Sequence, residues 1–458
     1  MMTVHDAASA LNGKQSGGDA CFTGVSIDSR TVGRGDLFVA LIGQNFNGHN
    51  FIAAVKDKGA VAAMIDREFE AEARKAGIPL ILVEDTRLAL RQLAAYWRGH
   101  FKIPMVAVTG SNGKTTVKEM IASILRRAAG RDGQIHDPDT VLATEGNLNN
   151  DIGVPLMLLR MCERHDYAVI EMGMNHFGEI SYLTGLVKPT VALITNAGAA
   201  HVEGLGSLEA VARAKGEIFE GLDQDGIAVI NADDPNAPLW RELAGNRRVI
   251  DFGLAGKPEV SARYQPDLFG SSLVLVLPGG VKEVQLQVPG AHNVRNALAA
   301  AAVAVAMGVG TEAIASGLSG FPGVKGRMQK KHGRHEATLI DDSYNANPES
   351  VRAALAVLAK AAGTKILVLG DMGELGGSAR DFHERIGTEA RMAGIDKLWA
   401  LGELSVHAAN KFGPGGRHFK EIEELLAEVE SLLKPGATLL IKGSRFMQME
   451  RVVKSVEL

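Results

Sequence analysis

An apolar run, Met105-Val106-Ala107-Val108, leads into Thr109-Gly110-Ser111-Asn112-Gly113-Lys114-Thr115-Thr116, and a helix-like stretch, Val117 to Leu125, follows. Strand, glycine loop and helix in that order restrict the chain to an α/β architecture and mark the loop as a phosphate site. Glycines let backbone N–H groups close around an anion, and the helix N-terminus adds unpaired donors and partial positive charge. A lysine here reaches terminal phosphates, and the hydroxyl that follows it can sit on Mg²⁺. Val108 stands where the common pattern has its first glycine, so the loop is a shortened variant, Gly110-x-x-Gly113-Lys-Thr-Thr. An ordinary strand-to-helix turn would not need two glycines, Asn, Lys and two Thr together.

The remaining segments repeat the strand–helix alternation. Residues 1–84 read as a small α/β module, with strands at Phe22–Ile27, Asp36–Leu41, Val61–Ile65 and Pro79–Val83 and a helix at Asn50–Lys58. A helix over Thr86–His100 leads out of it. Residues 85–318 read as a larger unit with strands Tyr167–Glu171, Val191–Thr195 and Ile227–Asn231, a helix Ser207–Leu222, an antiparallel insertion Arg263–Val288 and a buried Ala-rich helix Asn293–Met307. Residues 319–458 read as a third, Rossmann-like unit with strands Thr338–Asp341, Lys365–Leu369, Lys397–Leu401 and Ala437–Lys442. It lacks Gly-x-Gly-x-x-Gly, so dinucleotide binding is not expected there. Alternating strands and helices imply parallel sheets whose ligands bind beyond the carboxyl ends of the strands.

Bulk properties exclude several classes. A length of 458 residues suits about three domains. The net charge of −4 offers no electrostatic footprint for nucleic acid. Cys21 and Cys162 are the two cysteines, which fits a reduced compartment. The start, Met1-Met2-Thr3-Val4-His5-Asp6, has neither the basic stretch nor the apolar core of a secretory signal, and the apolar run Ala297–Val309 is too short to span a bilayer. A cytoplasmic protein without stable membrane association is expected.

Polar residues gather where the strands end. Glu171 closes a strand of the phosphate-loop sheet, where it either holds a cation or caps the next turn. His201 follows the next strand, and Lys215 lies on a predicted helix; by pattern alone these are a loop histidine and a solvated lysine. Thr144-Glu145-Gly146-Asn147-Leu148-Asn149-Asn150-Asp151 has the hydrogen-bonding density of a polyhydroxyl-ligand loop, or of a plain turn. In Asp341-Asp342-Ser343-Tyr344-Asn345-Ala346-Asn347-Pro348, helix capping explains Asn347 but not Asp342, Tyr344 and Asn345. Arg327, in Gly326-Arg327, is a candidate phosphate fork or a surface arginine.

Taken together, the phosphate loop, Glu171, His201, Lys215, Gly290-Ala-His-Asn-Val-Arg-Asn296 and Gly326-Arg327 resemble the ATP-dependent Mur ligases of peptidoglycan synthesis over nearly the whole chain. Four stretches resemble the branch that adds D-alanyl-D-alanine to a UDP-N-acetylmuramoyl-tripeptide: Asp28-Ser29-Arg30 with Gly35-Asp36-Leu37-Phe38, Glu145–Asn150, Asp341–Pro348 and Gly370–Gly376. The Asp-Asn-Pro-Arg string of the diaminopimelate- or lysine-adding branch is absent.

The resemblance implies a UDP-substrate domain, a central ATPase and a C-terminal domain that brings the amino substrate; separately, a monomer is expected. It also implies a mechanism. ATP phosphorylates the substrate carboxylate, the amine attacks the acyl phosphate, and phosphate leaves. Gly110, Ser111, Asn112, Gly113, Lys114, Thr115 and Thr116 would then hold ATP with Arg327, while Asn293 and Asn296 take the adenine and Asp342 the ribose. Thr115 and Glu171 would hold one Mg²⁺, and His201 with a carbamylated Lys215 a second. The catalytic set is Lys114, Glu171, His201, Lys215 and Arg327. Ser29 and Arg30 would meet the uridine diphosphate, Thr144, Asn147 and Asn150 the sugar and peptide, and Tyr344, Asn345 and Asn347 the dipeptide. Competing expectations are a ligase of this fold adding another amino acid, such as glutamate to folate, and a non-catalytic ATP-dependent scaffold.

Overall fold

The computed structural model describes residues 1–129, 137–198 and 205–458. His201 therefore lies outside the described residues. Three α/β units follow one another. The central unit carries a six-stranded sheet in which Met105–Thr109 is flanked on one side by Val191–Ile194, Ile227–Asn231 and Arg248–Phe252, and on the other by Tyr167–Glu171 and Val141–Ala143. All its pairings are parallel. Met105, Val106, Ala107 and Val108 are each 0% exposed, because helices cover both faces of the sheet. That is why the segment reads as an unbroken apolar run rather than an alternating one.

Helix Lys114–Ala128 leaves the glycine loop and packs against helices Ala291–Ala306 and Thr311–Ser319. The second contact is close: a Cβ on Gly317 would stand 2.5 Å from the Ile124 Cα. The expected antiparallel insertion is a three-stranded meander, Ser261–Pro266, Ser271–Leu277 and Gly280–Leu286. Its middle strand alternates, with Leu273, Leu275 and Leu277 in the core.

The N-terminal unit has a five-stranded sheet in the order Lys14–Ser16, Leu80–Val83, Ala62–Asp66, Asp36–Val39, Gly24–Ser26. The single strand expected over Phe22–Ile27 is two. Cys21–Phe22 pairs with Met2–Thr3, and Gly24–Ser26 joins the sheet. The break falls at Thr23, whose N–H bonds the Gly35 carbonyl at 2.9 Å and turns the chain. The helix expected over Asn50–Lys58 is a 3₁₀ turn, Gly48–Phe51, followed by Ile52–Asp57. Likewise the helix expected over Ser207–Leu222 is α only over Leu208–Gly216 and continues as a 3₁₀ turn, Glu217–Gly221.

The third unit's sheet runs Gln329–His332, Thr338–Asp342, Ala437–Lys442, Thr364–Gly370, Lys397–Leu401, Gly416–Phe419, parallel except for its first strand. Among the described residues no helix is long and apolar enough to cross a membrane.

Candidate functional site

A cleft of ≈ 1480 Å³ opens at the carboxyl ends of the central strands and is closed on its far side by the third unit. Ser111, Asn112, Gly113, Lys114, Thr115 and Thr116 form its floor. Gly113 has φ +84°, and a Cβ there would stand 2.4 Å from Asn296 Oδ1. A Gly113→Ala variant is expected to lose about 1–2 kcal/mol of stability from the left-handed backbone alone. It should also bind ATP more weakly, which calorimetric titration would measure. The loop is tied to the neighbouring strand: Asn112 N–H donates to Asn196 Oδ1 at 2.9 Å, and Thr195 Oγ1 and Asn196 Nδ2 donate to the Asn112 carbonyl at 2.7 and 2.9 Å.

Lys114 Nζ donates to the Gly110 carbonyl at 2.7 Å. Burial lowers its pKa, opposed by Glu171. Thr115 is the junction of the site. Its Oγ1 donates to Glu171 Oε2 at 2.8 Å and accepts from Arg327 Nη2 at 3.0 Å. Glu171 is 2% exposed, and its other oxygen accepts from Asn149 Nδ2 at 2.7 Å. Arg327 lies over the Tyr344 ring, 4.2 Å from the centroid, and its Nε is buried without a hydrogen-bond partner. Such a donor in a cleft wall suits an anionic ligand.

The opposite wall belongs to the third unit. Asp342 accepts from Met328 N–H at 3.1 Å and from Lys442 Nζ at 2.5 Å, and Lys442 also donates to the Asn345 carbonyl at 2.9 Å. Asn347 caps helix Pro348–Leu358 through Ser350 N–H. Its Nδ2 also donates to Asn112 Oδ1 at 2.8 Å, while Asn112 Nδ2 donates to Glu349 Oε2 at 3.1 Å. The nucleotide loop is thus fastened to the third unit twice, by Asn112 to Asn347 and Glu349 and by Thr115 to Arg327. An Asn112→Ala variant is expected to hold the central and third units together less tightly, read as a larger radius of gyration by small-angle scattering. An unchanged radius would show that this contact does not hold the two units together.

Asn293 and Asn296 line the cleft, held by Asn293 Nδ2 to the Pro289 carbonyl and Asn296 Nδ2 to Asn293 Oδ1, at 2.8 and 3.0 Å. Asn147, Asn150, Tyr344 and Asn345 line it too. Thr144, expected to meet the substrate, does not line the cleft: it is 0% exposed and its hydroxyl accepts the Glu171 N–H at 2.9 Å. Gly110, at the start of the loop, is buried and does not line the cleft. Lys215 is 1% exposed and is not part of the cleft wall; burial first, then the Lys114 charge, lowers its pKa well below the usual value. Ser29 and Arg30 stand apart on the N-terminal unit, where Arg30 pairs with Asp28 at 2.7 Å.

The profile of the Mur ligase middle domain matches residues 108–304, that of the Mur ligase glutamate ligase domain residues 326–445, and that of the Mur ligase family catalytic domain residues 22–98. The UDP-N-acetylmuramoyl-tripeptide–D-alanyl-D-alanine ligase of Escherichia coli K12 is 40% identical over 460 residues, covering 100% of this chain and 98% of that protein. The chain belongs to the Mur ligase family. The enzyme of the same description from Haemophilus influenzae is 38% identical, covering 94% of this chain and 93% of that protein. Among solved structures, MurF from Acinetobacter baumannii superposes with a TM-score of 0.89 at 37% identity, covering 99% of this chain and 98% of that one. MurF from Thermotoga maritima, in complex with ADP, gives 0.82 at 27% identity over 95% of this chain and 97% of that one.

Three groups in this Mur ligase site escaped sequence reasoning. Asn149 orients Glu171, and Lys442 neutralises Asp342. Lys118, 1% exposed, donates to the Thr144 carbonyl at 2.6 Å and so backs the strand-end hydroxyl that holds Glu171. Lys442 ends an apolar strand, the same signal that singled out Glu171. The cleft also contains His292, whose pKa burial lowers from 6.5 to about 4 despite Asp342. Its neutral form is favoured in the fold, so the unfolded chain binds the proton first as pH falls. Up to about 3 kcal/mol of stability should be lost between pH 6.5 and 4, and a His292→Gln variant should lose less in denaturant titrations across that range.

Proposed function

We infer that this chain joins D-alanyl-D-alanine to UDP-N-acetylmuramoyl-tripeptide with ATP hydrolysed to ADP and phosphate. The ligase class and ATP dependence follow from the full-length relatives. The observation that carries the reading to the site is the Thr115 hydroxyl, bonded at once to Glu171 of the central sheet and Arg327 of the third unit. In this reading a carboxylate oxygen of the tripeptide attacks the γ-phosphorus and ADP leaves. The dipeptide amine then attacks the acyl carbon, and phosphate departs with the electron pair of the broken C–O bond. Two anions must meet in the first step, so charge neutralisation and alignment dominate the demand on the protein.

Lys114 and Arg327 supply fixed positive charge, and the loop N–H groups grip the phosphates. Thr115 and Glu171 are hard oxygen donors that would hold Mg²⁺, which would neutralise phosphate charge. Mg²⁺ is commonly bound through one or two side chains plus substrate phosphates, which is what Thr115 and Glu171 offer. Lys215, as a carbamate, and His201 would serve a second cation. Asn293 and Asn296 take adenine, Asp342 the ribose, and Ser29 and Arg30 the uridine diphosphate. Asn147 and Asn150 meet sugar and peptide, with Thr144 acting through Glu171. Tyr344, Asn345 and Asn347 form the wall toward the dipeptide.

We place the domain boundaries at 84/85 and 318/319. Packing of helix Thr86–Arg98 on helices Gly153–Leu158 and Glu179–Val187 supports the first of these. The reading extends to a cytoplasmic monomer. A phosphate-release assay with each substrate omitted in turn tests the function. Release that requires ATP, UDP-muramoyl-tripeptide and D-alanyl-D-alanine together is expected, and release with glutamate, lysine or diaminopimelate in place of the dipeptide would overturn it.

A further inference from the structure

The loop after strand Ala437–Lys442, Gly443-Ser444-Arg445-Phe446, has no role in the nucleotide site. Ser444 is 4% exposed and fastens the loop to both neighbours. Its Oγ donates to the Ala346 carbonyl at 3.1 Å and accepts from Gly373 N–H at 2.8 Å, and its own N–H donates to the Asp371 carbonyl at 2.9 Å. The three loops so joined follow three adjacent parallel strands, the crevice where an α/β sheet takes its ligand. Arg445 and Phe446 line the cleft beside them. Arg445, its side chain 60% exposed, pairs through Nη1 with Glu450 Oε1 at 2.9 Å. Among the described residues no other hydrogen bond is made by the Arg445 side chain, so most of its five donors face no protein acceptor. Phe446 is 63% exposed, an apolar ring left in a polar cleft.

Tyr344 links this corner to the reacting end. Arg445 lies 5.7 Å from its ring centroid and Arg327 4.2 Å from the same point. The two guanidinium carbons are therefore no more than about 10 Å apart, and an extended dipeptide spans roughly 7 Å. Arg327 is the phosphate-side cation through Thr115, where a second carboxylate would face the anions being activated. We propose that Arg445 binds the C-terminal carboxylate of the dipeptide, with Phe446 against its methyl groups, so that the amine is directed toward Arg327 and the nucleotide loop. The proposal rests on the reading that the amino substrate is D-alanyl-D-alanine. A planar fork matched to a carboxylate gives both charge and orientation. A merely solvated arginine would show no dependence on the substrate's charge.

The test compares D-alanyl-D-alanine with its C-terminal amide in the full-length enzyme. Arg445→Ala should raise the KM for the dipeptide about 10- to 100-fold, the worth of a charge-assisted bond. KM for ATP and for the UDP-substrate should not move. Wild type should disfavour the amide by a similar factor, and Arg445→Ala should no longer discriminate; Arg445→Lys should recover part of the discrimination. Phe446→Ala, at an exposed position that does not threaten folding, should raise the dipeptide KM about fourfold, near the worth of one buried methyl. An unchanged dipeptide KM in both variants, or an acid-to-amide preference that survives Arg445→Ala, overturns the proposal. Wild type that releases no phosphate with the dipeptide would instead defeat the functional reading beneath it.

Discussion

Lys114→Met is expected to lower phosphate release by about a thousandfold at saturating substrates, on the scale of losing one preorganised charge at a developing anion. The methionine keeps the length and apolar body of the stem, so helix Lys114–Ala128 and the loop should persist. What disappears is the ammonium. In the described conformation that ammonium rests on the Gly110 carbonyl, within the loop it serves. Burial disfavours its charge and Glu171 favours it, so arriving phosphates tip the balance further toward the cation. Steady-state phosphate assays, with circular dichroism as a control for folding, check the effect. A rate within tenfold of wild type would show that Arg327 and the loop N–H groups suffice without Lys114.

Lys215→Ala should cost at least about a hundredfold in rate, with part of the activity returned by added short carboxylates such as acetate. Helix Leu208–Gly216 drives this lysine into the interior beside the nucleotide loop, where it is 1% exposed. Burial, then the like charge of Lys114, lowers its pKa well below the ordinary lysine value. The sign follows: the fold prefers the neutral amine, so an unmodified Lys215 costs stability at neutral pH and the cost falls as pH rises toward the unfolded value. A neutral amine can add CO₂, releasing one proton and leaving a carbamate anion. Acetate should therefore restore what CO₂ supplies in the wild type. Turnover of Lys215→Ala at the wild-type rate would remove the carbamate from the mechanism.

The two variants separate the halves of the site. Lys114 belongs to a loop whose glycines, lysine and hydroxyls are adjacent in sequence. Lys215 is set by the packing of its helix, where it falls four residues after buried Val211 and three before buried Ile218.

The strands of the central and third sheets were legible because parallel strands covered on both faces are continuous apolar runs. The edge strands of the central sheet, Val141–Ala143 and Arg248–Phe252, were not: the first has three residues, and in the second only Ile250 and Phe252 are buried. Helix ends moved where 3₁₀ turns took over, as at Gly216 and Ile52, since hydrogen-bond type is decided by packing rather than by apolar spacing. Glu171 was legible as a carboxylate at a strand end, but that Asn149 turns one oxygen and Thr115 the other depends on a loop folding back over the sheet.

By itself, then, the amino-acid sequence determined the glycine loop between strand and helix, the three-part α/β organisation and the family, because these rest on neighbours along the chain and on the burial of whole runs. Only the tertiary structure decided that Asn112 meets Asn347, that Arg327 meets Thr115, and that Thr144 faces Glu171 instead of the cleft. Those contacts join residues as far as 235 positions apart. Closing such separations is decided by how the sheets dock, and no local propensity encodes it.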